Sequence, residues 1–321
     1  MSRILYLGVD YFGYARETCA ACRRLGHEID FFPLEDRSFA VRATKTLAGG
    51  FYRKRLEAYH RRIVEESAGK DYDVILFIQV HQMAPESVQR LKDLHPNARF
   101  VLYYIDSLNT HDYRGWVHLF DHVATFDPED AKKLGVTYLP LWAVPTFYDI
   151  DQSRPKDFDL YFVGSIATMH RFDALARFHE FAEASGLDTH FHLVCNPLTR
   201  AKLARERKHL PGITGRGLEF EQIVDLLERS RATFDFANHR QSGYTHRFIE
   251  NMCAERKIVT ENPRILNEPF YREDRFLWVD GHDFSAVPEF LARPIESDID
   301  IRQFSVENWA RQLIEPASAA L

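Results

Sequence analysis

Residues 241–252 read QSGYTHRFIENM, and residues 257–262 read KIVTEN. Ser242 is a good N-cap residue, because a serine hydroxyl accepts a hydrogen bond from a backbone N–H two or three residues further on. An apolar stripe at helical spacing follows it, made of Phe248, Ile249, Met252 and Cys253. Arg247 and Glu250 are three residues apart on the opposite side of this helix and are neighbours in space. The stretch therefore predicts a loop, a capped helix and then a β-strand.

The start of this predicted helix suits a phosphate group. Its free N–H groups and its dipole both favour an anion, and Gly243 lets a ligand come close to the backbone. One turn further in, a carboxylate such as Glu250 can accept two hydrogen bonds from a ribose diol. The alternative is an amphipathic helix with a solvated Arg247–Glu250 pair, which contributes roughly 0.2–0.5 kcal/mol. Both interpretations fit the residues.

The same stretch resembles the donor-site helix of GT-B glycosyltransferases, especially the branch related to spore-maturation and capsule-biosynthesis transferases. That branch typically shows Gln-Ser-Gly-x-Thr-x-Arg-x-x-Glu, then a β-strand and an Asn. The residues that match are Gln241, Ser242, Gly243, Thr245, Arg247, Glu250 and Asn262. Where relatives often have small residues and Gly-Lys-Lys, this chain has CAERK at 253–257.

Length, composition and charge restrict the class of protein. A chain of 321 residues is long for one domain and comfortable for two. With 45% hydrophobic and 27% charged residues it has the composition of a soluble globular protein, and a net charge of −6 argues against a nucleic-acid binder. No apolar run approaches the roughly 20 residues that span a bilayer. Since the N-terminus lacks a signal peptide's apolar core, we expect a cytoplasmic protein.

The cysteines and paired histidines are only weak evidence for a metal-binding site. Cys19 and Cys22 lie on one face of a predicted helix, where a buried apolar role is the default. A metal site needs more ligands at matching spacing. His190 and His192 point to the same side of a predicted strand, where histidines are more often structural. We therefore expect no metal site at these residues, and the GT-B resemblance implies no cofactor apart from the donor substrate.

Three predicted strands in the N-terminal half, at residues 4–9, 74–78 and 100–105, are apolar and run into polar residues. Asp10, His81 and Asp106 follow these strands. In open α/β sheets, ligands bind beyond the carboxyl ends of the strands, so we expect the three side chains to converge at one edge. As candidate general bases they rank in the order Asp106, His81, Asp10. The glycines near the first strand do not form G-x-G-x-x-G, so a dinucleotide site is not supported.

Residues 37–70 predict a basic, helical region. One interpretation is a surface for anionic lipid or a phosphate-bearing acceptor, which leaves open a peripheral contact with the inner face of the membrane. The other is a single solvated helix face, and this is the interpretation that we favour.

The C-terminal half opens with a second strand–glycine turn, FVGS at 162–165, followed by a helix that carries Arg171. In the GT-B family such a turn and arginine lie at the donor diphosphate. The resemblance implies that Glu250 binds the ribose. It also implies that the diphosphate and nucleotide are held by Gly164, Ser165, Arg171, Gln241, Ser242, Gly243, Thr245 and Arg247.

The predicted fold is α/β, with two Rossmann-like domains facing across a cleft in the GT-B manner. We expect an acceptor-side domain at residues 1–148 and a donor domain at 149–321. A terminal helix at 305–314 often crosses back onto the first domain in such enzymes. The implied activity is metal-independent transfer of a sugar from a nucleotide-diphosphate sugar to a glycan or lipid-linked acceptor, in bacterial polysaccharide or glycoconjugate biosynthesis.

The Glu-x7-Glu spacing of many retaining GT-B enzymes is absent, because position 242 is Ser and position 258 is Ile. This absence favours inversion. Two alternatives stay open. One is a non-catalytic GT-B-like module that binds a nucleotide or a partner enzyme in a polysaccharide-assembly complex. The other is a sugar-nucleotide epimerase, which would turn over its donor without an acceptor.

Overall fold

The computed structural model describes residues 1–35, 49–166, 168–236, 241–281 and 283–315. The chain divides into two compact units. Unit 1 contains Met1–Trp142, Arg240–Tyr244 and Phe304–Leu321, and unit 2 contains Ala143–His239 and Thr245–Gln303. Each unit is built on a six-stranded sheet.

Unit 1 is organised around an all-parallel sheet. Its strands are β1 (Arg3–Gly8), β2 (Glu28–Pro33), β3 (Val74–Ile78), β4 (Arg99–Tyr104), β5 (His122–Thr125) and β6 (Thr137–Tyr138). They are arranged in the order β2-β1-β3-β4-β5-β6, and every neighbouring pair is parallel. The strand β3 is buried along its whole length, because helices cover both faces of such a sheet. Its continuous apolar sequence is the reason for its central position.

The helices between these strands are α1 (Tyr14–Arg24), α2 (Gly49–Ser67), α3 (Pro85–Leu94), α4 (Arg114–Val117) and α5 (Pro128–Leu134). Cys19 and Cys22 are buried on α1, so their predicted apolar role is confirmed. Burial raises the pKa of Cys19 to about 11 and that of Cys22 to about 12, which leaves both thiols protonated near neutral pH.

Unit 2 repeats the plan with a second parallel sheet. Its strands are β7 (Phe158–Ser165), β8 (Thr189–Val194), β9 (Ile213–Thr214), β10 (Ser230–Asp235), β11 (Lys257–Thr260) and β12 (Phe276–Trp278), in the order β12-β11-β10-β7-β8-β9. Its helices are α6 (Met169–Ala184), α7 (Pro197–Arg205), α8 (Phe220–Glu228), α9 (His246–Cys253) and α10 (Val287–Ala292). In the core, Phe178 of α6 stacks on Phe234 of β10 with ring centroids 4.4 Å apart.

The last described helix, α11 (Val306–Ile314), belongs to unit 1 and packs against α1. Ser305 caps its start by accepting a hydrogen bond from the Asn308 N–H. Trp309 stacks on Trp142 with ring centroids 3.8 Å apart. Arg99 donates to the Ile314 carbonyl (2.6 Å), which satisfies one of the acceptors left over at the helix end.

The predicted α/β class with two Rossmann-like domains of the GT-B type is confirmed by these two sheets and their flanking helices. The part of the basic 37–70 region that precedes α2 lies outside the described residues. On α2 itself the exposed basic side chains are Arg53, Lys54, Arg55, Arg61 and Arg62. Over the described ranges, no helix is both long enough and apolar enough to cross a membrane.

Candidate functional site

Four polar side chains at the ends of β3 and β4 form what we call the strand-end cluster: Gln79, His81, Asp106 and His111. Gln79 follows β3 with φ of 65°, and its side chain is buried. Its Nε2 donates to Oδ2 of Asp106 (2.5 Å), and Nδ1 of His111 lies 3.4 Å from the same oxygen. The carboxylate of Asp106 is therefore held in place through Oδ2 by two neighbours.

His81 joins this cluster by stacking its ring on His111, and one of its ring nitrogens contacts Tyr104 of β4. The imidazole stacks on His111, with centroids 4.0 Å apart and planes 9° from parallel. Its Nδ1 lies 2.8 Å from the hydroxyl of Tyr104. In the tautomer that carries a proton on Nδ1, this bond fixes the ring and leaves Nε2 as a proton acceptor. The structure thus brings His81 and Asp106 together, with His111 between them.

The electrostatics of the cluster suit proton transfer. Burial raises the pKa of Asp106, and the neighbouring His111 partly opposes the rise. A carboxylate with a raised pKa is a stronger base near neutral pH. Burial also raises the pKa of the Tyr104 hydroxyl far above neutral, so Tyr104 keeps its proton.

Asp10 follows β1, and its position differs from that of the other two candidates. Oδ1 of Asp10 accepts a hydrogen bond from the Ala15 N–H (3.3 Å), at the start of α1. Since β1 lies beside β3 in the parallel sheet, Asp10 follows its strand at the same edge as His81. Its observed contact is nevertheless with α1 rather than with the strand-end cluster.

In unit 2, Arg171 lies at the carboxyl edge of the sheet. Thr168 caps α6 by accepting from the Arg171 N–H (3.2 Å), and Nη1 of Arg171 donates to the Ser165 carbonyl (3.1 Å) at the end of β7. The guanidinium lies over two rings, 5.9 Å from the centroid of Phe162 and 5.1 Å from that of Phe236. Burial lowers the pKa of Arg171, but Asp235 opposes this change, and an arginine stays charged in any case.

Asp235, at the end of β10, is a site residue that the sequence reasoning missed. Its Oδ2 accepts from the hydroxyl of Thr260 (2.9 Å), and the Thr245 side chain hydrogen-bonds to the same carboxyl group. Burial raises its pKa, while Thr260, Arg171 and Thr245 act in the opposite direction. The carboxyl group of Asp235 thus interacts with Thr260 at the end of β11, with Thr245 at the start of α9 and with the positive charge of Arg171 on α6. A charged residue in the otherwise apolar strand ATFDF was the available signal.

The helix α9 begins three residues later than predicted. Thr245, not Ser242, is its N-cap, since the Thr245 hydroxyl accepts from the Phe248 N–H (3.2 Å). The prediction that Ser242 caps this helix is wrong. Ser242 instead donates its N–H to Oδ2 of Asp127 (2.7 Å) and its hydroxyl to Oδ1 (2.5 Å). Because both the N–H and the hydroxyl of Ser242 donate to Asp127, neither is available to a diphosphate in this arrangement.

Gly243 is needed here for packing. A Cβ at this position would lie 2.3 Å from the carbonyl oxygen of Phe126, closer than any side chain tolerates. The neighbour that requires glycine is therefore the backbone that follows β5. Gln241, Ser242 and Gly243 all fall in the segment that belongs to unit 1.

The apolar stripe predicted on α9 is confirmed, because Phe248, Ile249, Met252 and Cys253 are all buried. The interpretation of Arg247 and Glu250 as a solvated pair is wrong. Their side chains are 21% and 8% exposed, and Arg247 Nη1 lies 3.3 Å from Glu250 Oε2.

The face of α9 that was predicted to be polar packs into unit 2. Nδ2 of Asn251 donates to the hydroxyl of buried Tyr161 (2.8 Å) and to the Arg247 carbonyl (2.8 Å). Among the described residues, no three His, Cys, Asp or Glu side chains are grouped as metal ligands would be.

No protein-family model matches the chain, and no curated protein matches it. Several solved structures, in contrast, do match the chain. AviGT4, a glycosyltransferase involved in avilamycin A biosynthesis, superposes with a TM-score of 0.63 at 14% identity, over 97% of this chain and 96% of its own. The catalytic domain of starch synthase IV from Arabidopsis thaliana, bound to ADP and acarbose, gives 0.57 at 10% identity, over 98% and 94%.

MnaA from S. aureus, in a structure with UDP, gives a TM-score of 0.53 at 9% identity, over 96% of this chain and 91% of its own. These likenesses extend over nearly the whole length of both partners in each comparison. At such low identity they establish the shared GT-B fold.

Proposed function

We propose that this protein is a glycosyltransferase that moves a sugar from a nucleotide-diphosphate sugar to a glycan or lipid-linked acceptor, in bacterial polysaccharide or glycoconjugate biosynthesis. Unit 2 binds the donor, and the strand-end cluster of unit 1 supplies the general base. Structures with the same fold include two enzymes of sugar transfer or starch synthesis and one protein bound to UDP, which supports this class of reaction.

The observation that carries the proposal is the fixed guanidinium of Arg171. It is held by the Ser165 carbonyl and by two aromatic rings at the carboxyl edge of the unit 2 sheet. Ligands of open α/β sheets bind at that edge, and a bidentate guanidinium matches a phosphate. Its charge, together with the starts of α6 and α9, would stabilise the departing diphosphate.

The donor-binding roles of the other residues remain part of the proposal. Gly164 lies within β7, one residue before the strand ends, where a Cβ would come 3.0 Å from the Phe162 ring. Thr245 and Arg247 are at the start of α9, and Glu250 would bind the ribose. For Gln241, Ser242 and Gly243 the assignment requires that Ser242 be released from Asp127.

In the proposed reaction Asp106 removes the proton from the acceptor hydroxyl as that oxygen attacks the anomeric carbon of the donor. The bond from this carbon to the diphosphate breaks, and the nucleotide leaves with the electron pair. We propose inversion at the anomeric carbon. A metal ion is not required, because the positive groups of unit 2 stabilise the leaving group.

The first experiment is a thermal-shift screen of the protein against UDP, GDP, CDP, CMP and dTDP and their sugar conjugates. A ligand at a hundred times its Kd adds about 2.7 kcal/mol of stability. We expect one nucleotide family to raise the Tm, and we expect Arg171→Ala to abolish that rise. The matched control is Arg231→Ala, because Arg231 is an exposed arginine near the start of β10, at the opposite edge of the same sheet.

The alternatives give different outcomes. If no nucleotide changes the Tm, or if a nucleotide binds but no sugar is transferred or epimerised, the protein is a non-catalytic module and the proposal fails. If a donor binds and its sugar is converted to an epimer without an acceptor, the protein is an epimerase. If the sugar is transferred, NMR of the new glycosidic linkage distinguishes inversion from retention.

A further inference from the structure

Two large aromatic side chains stand in solvent at the turn that follows β1. Tyr11 is 45% exposed and Phe12 is 57% exposed, and they are adjacent in sequence. Scattered exposed apolar residues are ordinary on a protein surface, whereas neighbouring aromatic rings form a local apolar patch. Tyr11 and Phe12 together form what we call the aromatic turn.

The backbone of the aromatic turn is strained. Phe12 has φ of 49° and Gly13 has φ of 76°, so two consecutive residues are left-handed. Glycine adopts this conformation freely, but a bulky residue there places its Cβ too close to the following carbonyl oxygen. No burial of the Phe12 ring offsets this strain, because the ring is exposed. Strained backbone of this kind concentrates at functional sites, where the side chain has to be presented in one direction.

The sheet order places the aromatic turn beside the proposed base. β1 lies between β2 and β3, and β4 follows β3. Because all four strands are parallel, the turn after β1 lies at the same edge as His81 and Asp106, which follow β3 and β4. Apolar ring faces and hydrogen-bonding side chains are therefore presented at one edge of one sheet.

We infer that the aromatic turn is a platform on which a neutral sugar residue of the acceptor stacks, an inference that rests on the proposed function. A pyranose ring has an apolar C–H face and a rim of hydroxyl groups. Its C–H face fits the electron-rich face of an aromatic ring, and its hydroxyl groups suit the polar side chains that follow β3 and β4. At this edge the carboxylates of Asp10 and Asp106 outnumber the guanidinium of Arg16, which lies beside Gly13, and this balance disfavours an anionic lipid headgroup or a phosphorylated sugar.

The test is binding to an array of neutral, sialylated and phosphorylated oligosaccharides, with nucleotide thermal shifts measured on the same proteins. We expect the wild type to bind neutral glycans, and Tyr11→Ala and Phe12→Ala each to weaken that binding at least tenfold. The matched control is Leu94→Ala, since Leu94 is 42% exposed at the end of α3, which runs back to the opposite edge of this sheet. All of these variants should keep the nucleotide shift of the wild type.

A second variant separates the ring from the shape of the turn. Asparagine tolerates the left-handed conformation, so Phe12→Asn keeps the turn and removes the ring. We expect Phe12→Asn to have a Tm at or above that of the wild type and to lose glycan binding as Phe12→Ala does.

Several outcomes would overturn this inference. They are retention of glycan binding by Phe12→Asn, binding of anionic glycans alone, absence of binding to any glycan, and Phe12-dependent binding to phosphatidylglycerol vesicles in place of glycans. Failure of the proposed function is separate, because it is read from the nucleotide shift of the wild type.

Discussion

The carboxyl edges of the two sheets carry polar residues in contrasting environments. In the strand-end cluster of unit 1, the side chains of Asp106 and His111 are 33% and 41% exposed. In the motif on α9 of unit 2, Arg247 and Glu250 are 21% and 8% exposed. Unit 1 therefore offers groups that a ligand can reach, whereas much of unit 2's motif is fixed inside the fold. A proton acceptor has to touch its substrate, but a charge that stabilises a leaving group has to be held rigidly.

The largest effect that this contrast predicts is the loss of turnover in Asp106→Asn. The amide keeps the shape of the carboxylate but cannot take the proton, and a general base contributes roughly 10²–10⁴-fold to the rate. We expect kcat to fall by that factor while the nucleotide shift is unchanged. The measurement is release of the nucleotide product from the donor and acceptor identified by screening.

The matched control for this prediction is Asp112→Asn. Asp112 is an exposed carboxylate close by in sequence, and its Oδ2 lies 2.5 Å from Nη2 of Arg114. Its loss should leave kcat within about twofold of the wild type, because exposed ion pairs contribute little. Equal losses in the two variants would show that the base is another residue, and His81 is then the next to test.

The next effect is on the stability of unit 2. Glu250→Ala leaves Arg247 without its carboxylate partner in a largely buried position, and breaking such a pair destabilises a protein by about 3 kcal/mol. We expect a matching loss in the free energy of unfolding measured in urea. The control is Glu289→Ala, because Glu289 forms an exposed pair with Arg293 at 3.5 Å, and its loss should cost at most about 0.5 kcal/mol.

Nucleotide binding by Glu250→Ala tests the proposed ribose-binding role of Glu250 separately from its contribution to stability. If Glu250→Ala keeps the stability of the wild type and loses only nucleotide binding, the carboxylate faces a ligand and the motif is open. If both stability and binding fall, Glu250→Gln separates the two roles. The amide still accepts a hydrogen bond but carries no charge, so it tests whether the charge of Glu250 is what keeps Arg247 in place.

Strand predictions from the sequence agree closely with the structure because buried parallel strands are continuous apolar runs. Val74–Ile78 has the predicted bounds, and the strands predicted at 4–9 and 100–105 each begin and end one residue earlier, at Arg3–Gly8 and Arg99–Tyr104. The order of the strands in each sheet follows from contacts that no local pattern encodes. For the same reason the sequence could place Asp106 after a strand but could not reveal Gln79 and His111 as its partners.

The motif on α9 is the clearest local pattern in the sequence, but its residues do not show how deeply the helix is buried. One of the two interpretations of the Arg247–Glu250 pair places it in solvent, but this face of α9 packs on Tyr161 through Asn251. Likewise Ser242 has the chemistry of an N-cap, yet Asp127 binds both of its donors and Thr245 caps the helix. Local chemistry identifies the residues that can form a bond, and the tertiary fold decides which bond is formed.

The smallest predicted effect tests how closed the unit 2 motif is to water. His246, the first residue of α9, has its pKa lowered to about 3, first by burial and then by the charge of Arg247. In the unfolded chain its pKa is about 6.5. The neutral ring therefore stabilises the folded protein above pH ~6.5, and this contribution is lost as the pH falls towards 3, with a slope of at most about 1.4 kcal/mol per pH unit. His246→Asn should flatten the pH dependence of the free energy of unfolding by that slope between about pH 6 and pH 4. An NMR titration that found the His246 ring protonating near pH 6 would mean that water reaches the start of α9, and the contrast between the two sheet edges would then be much smaller.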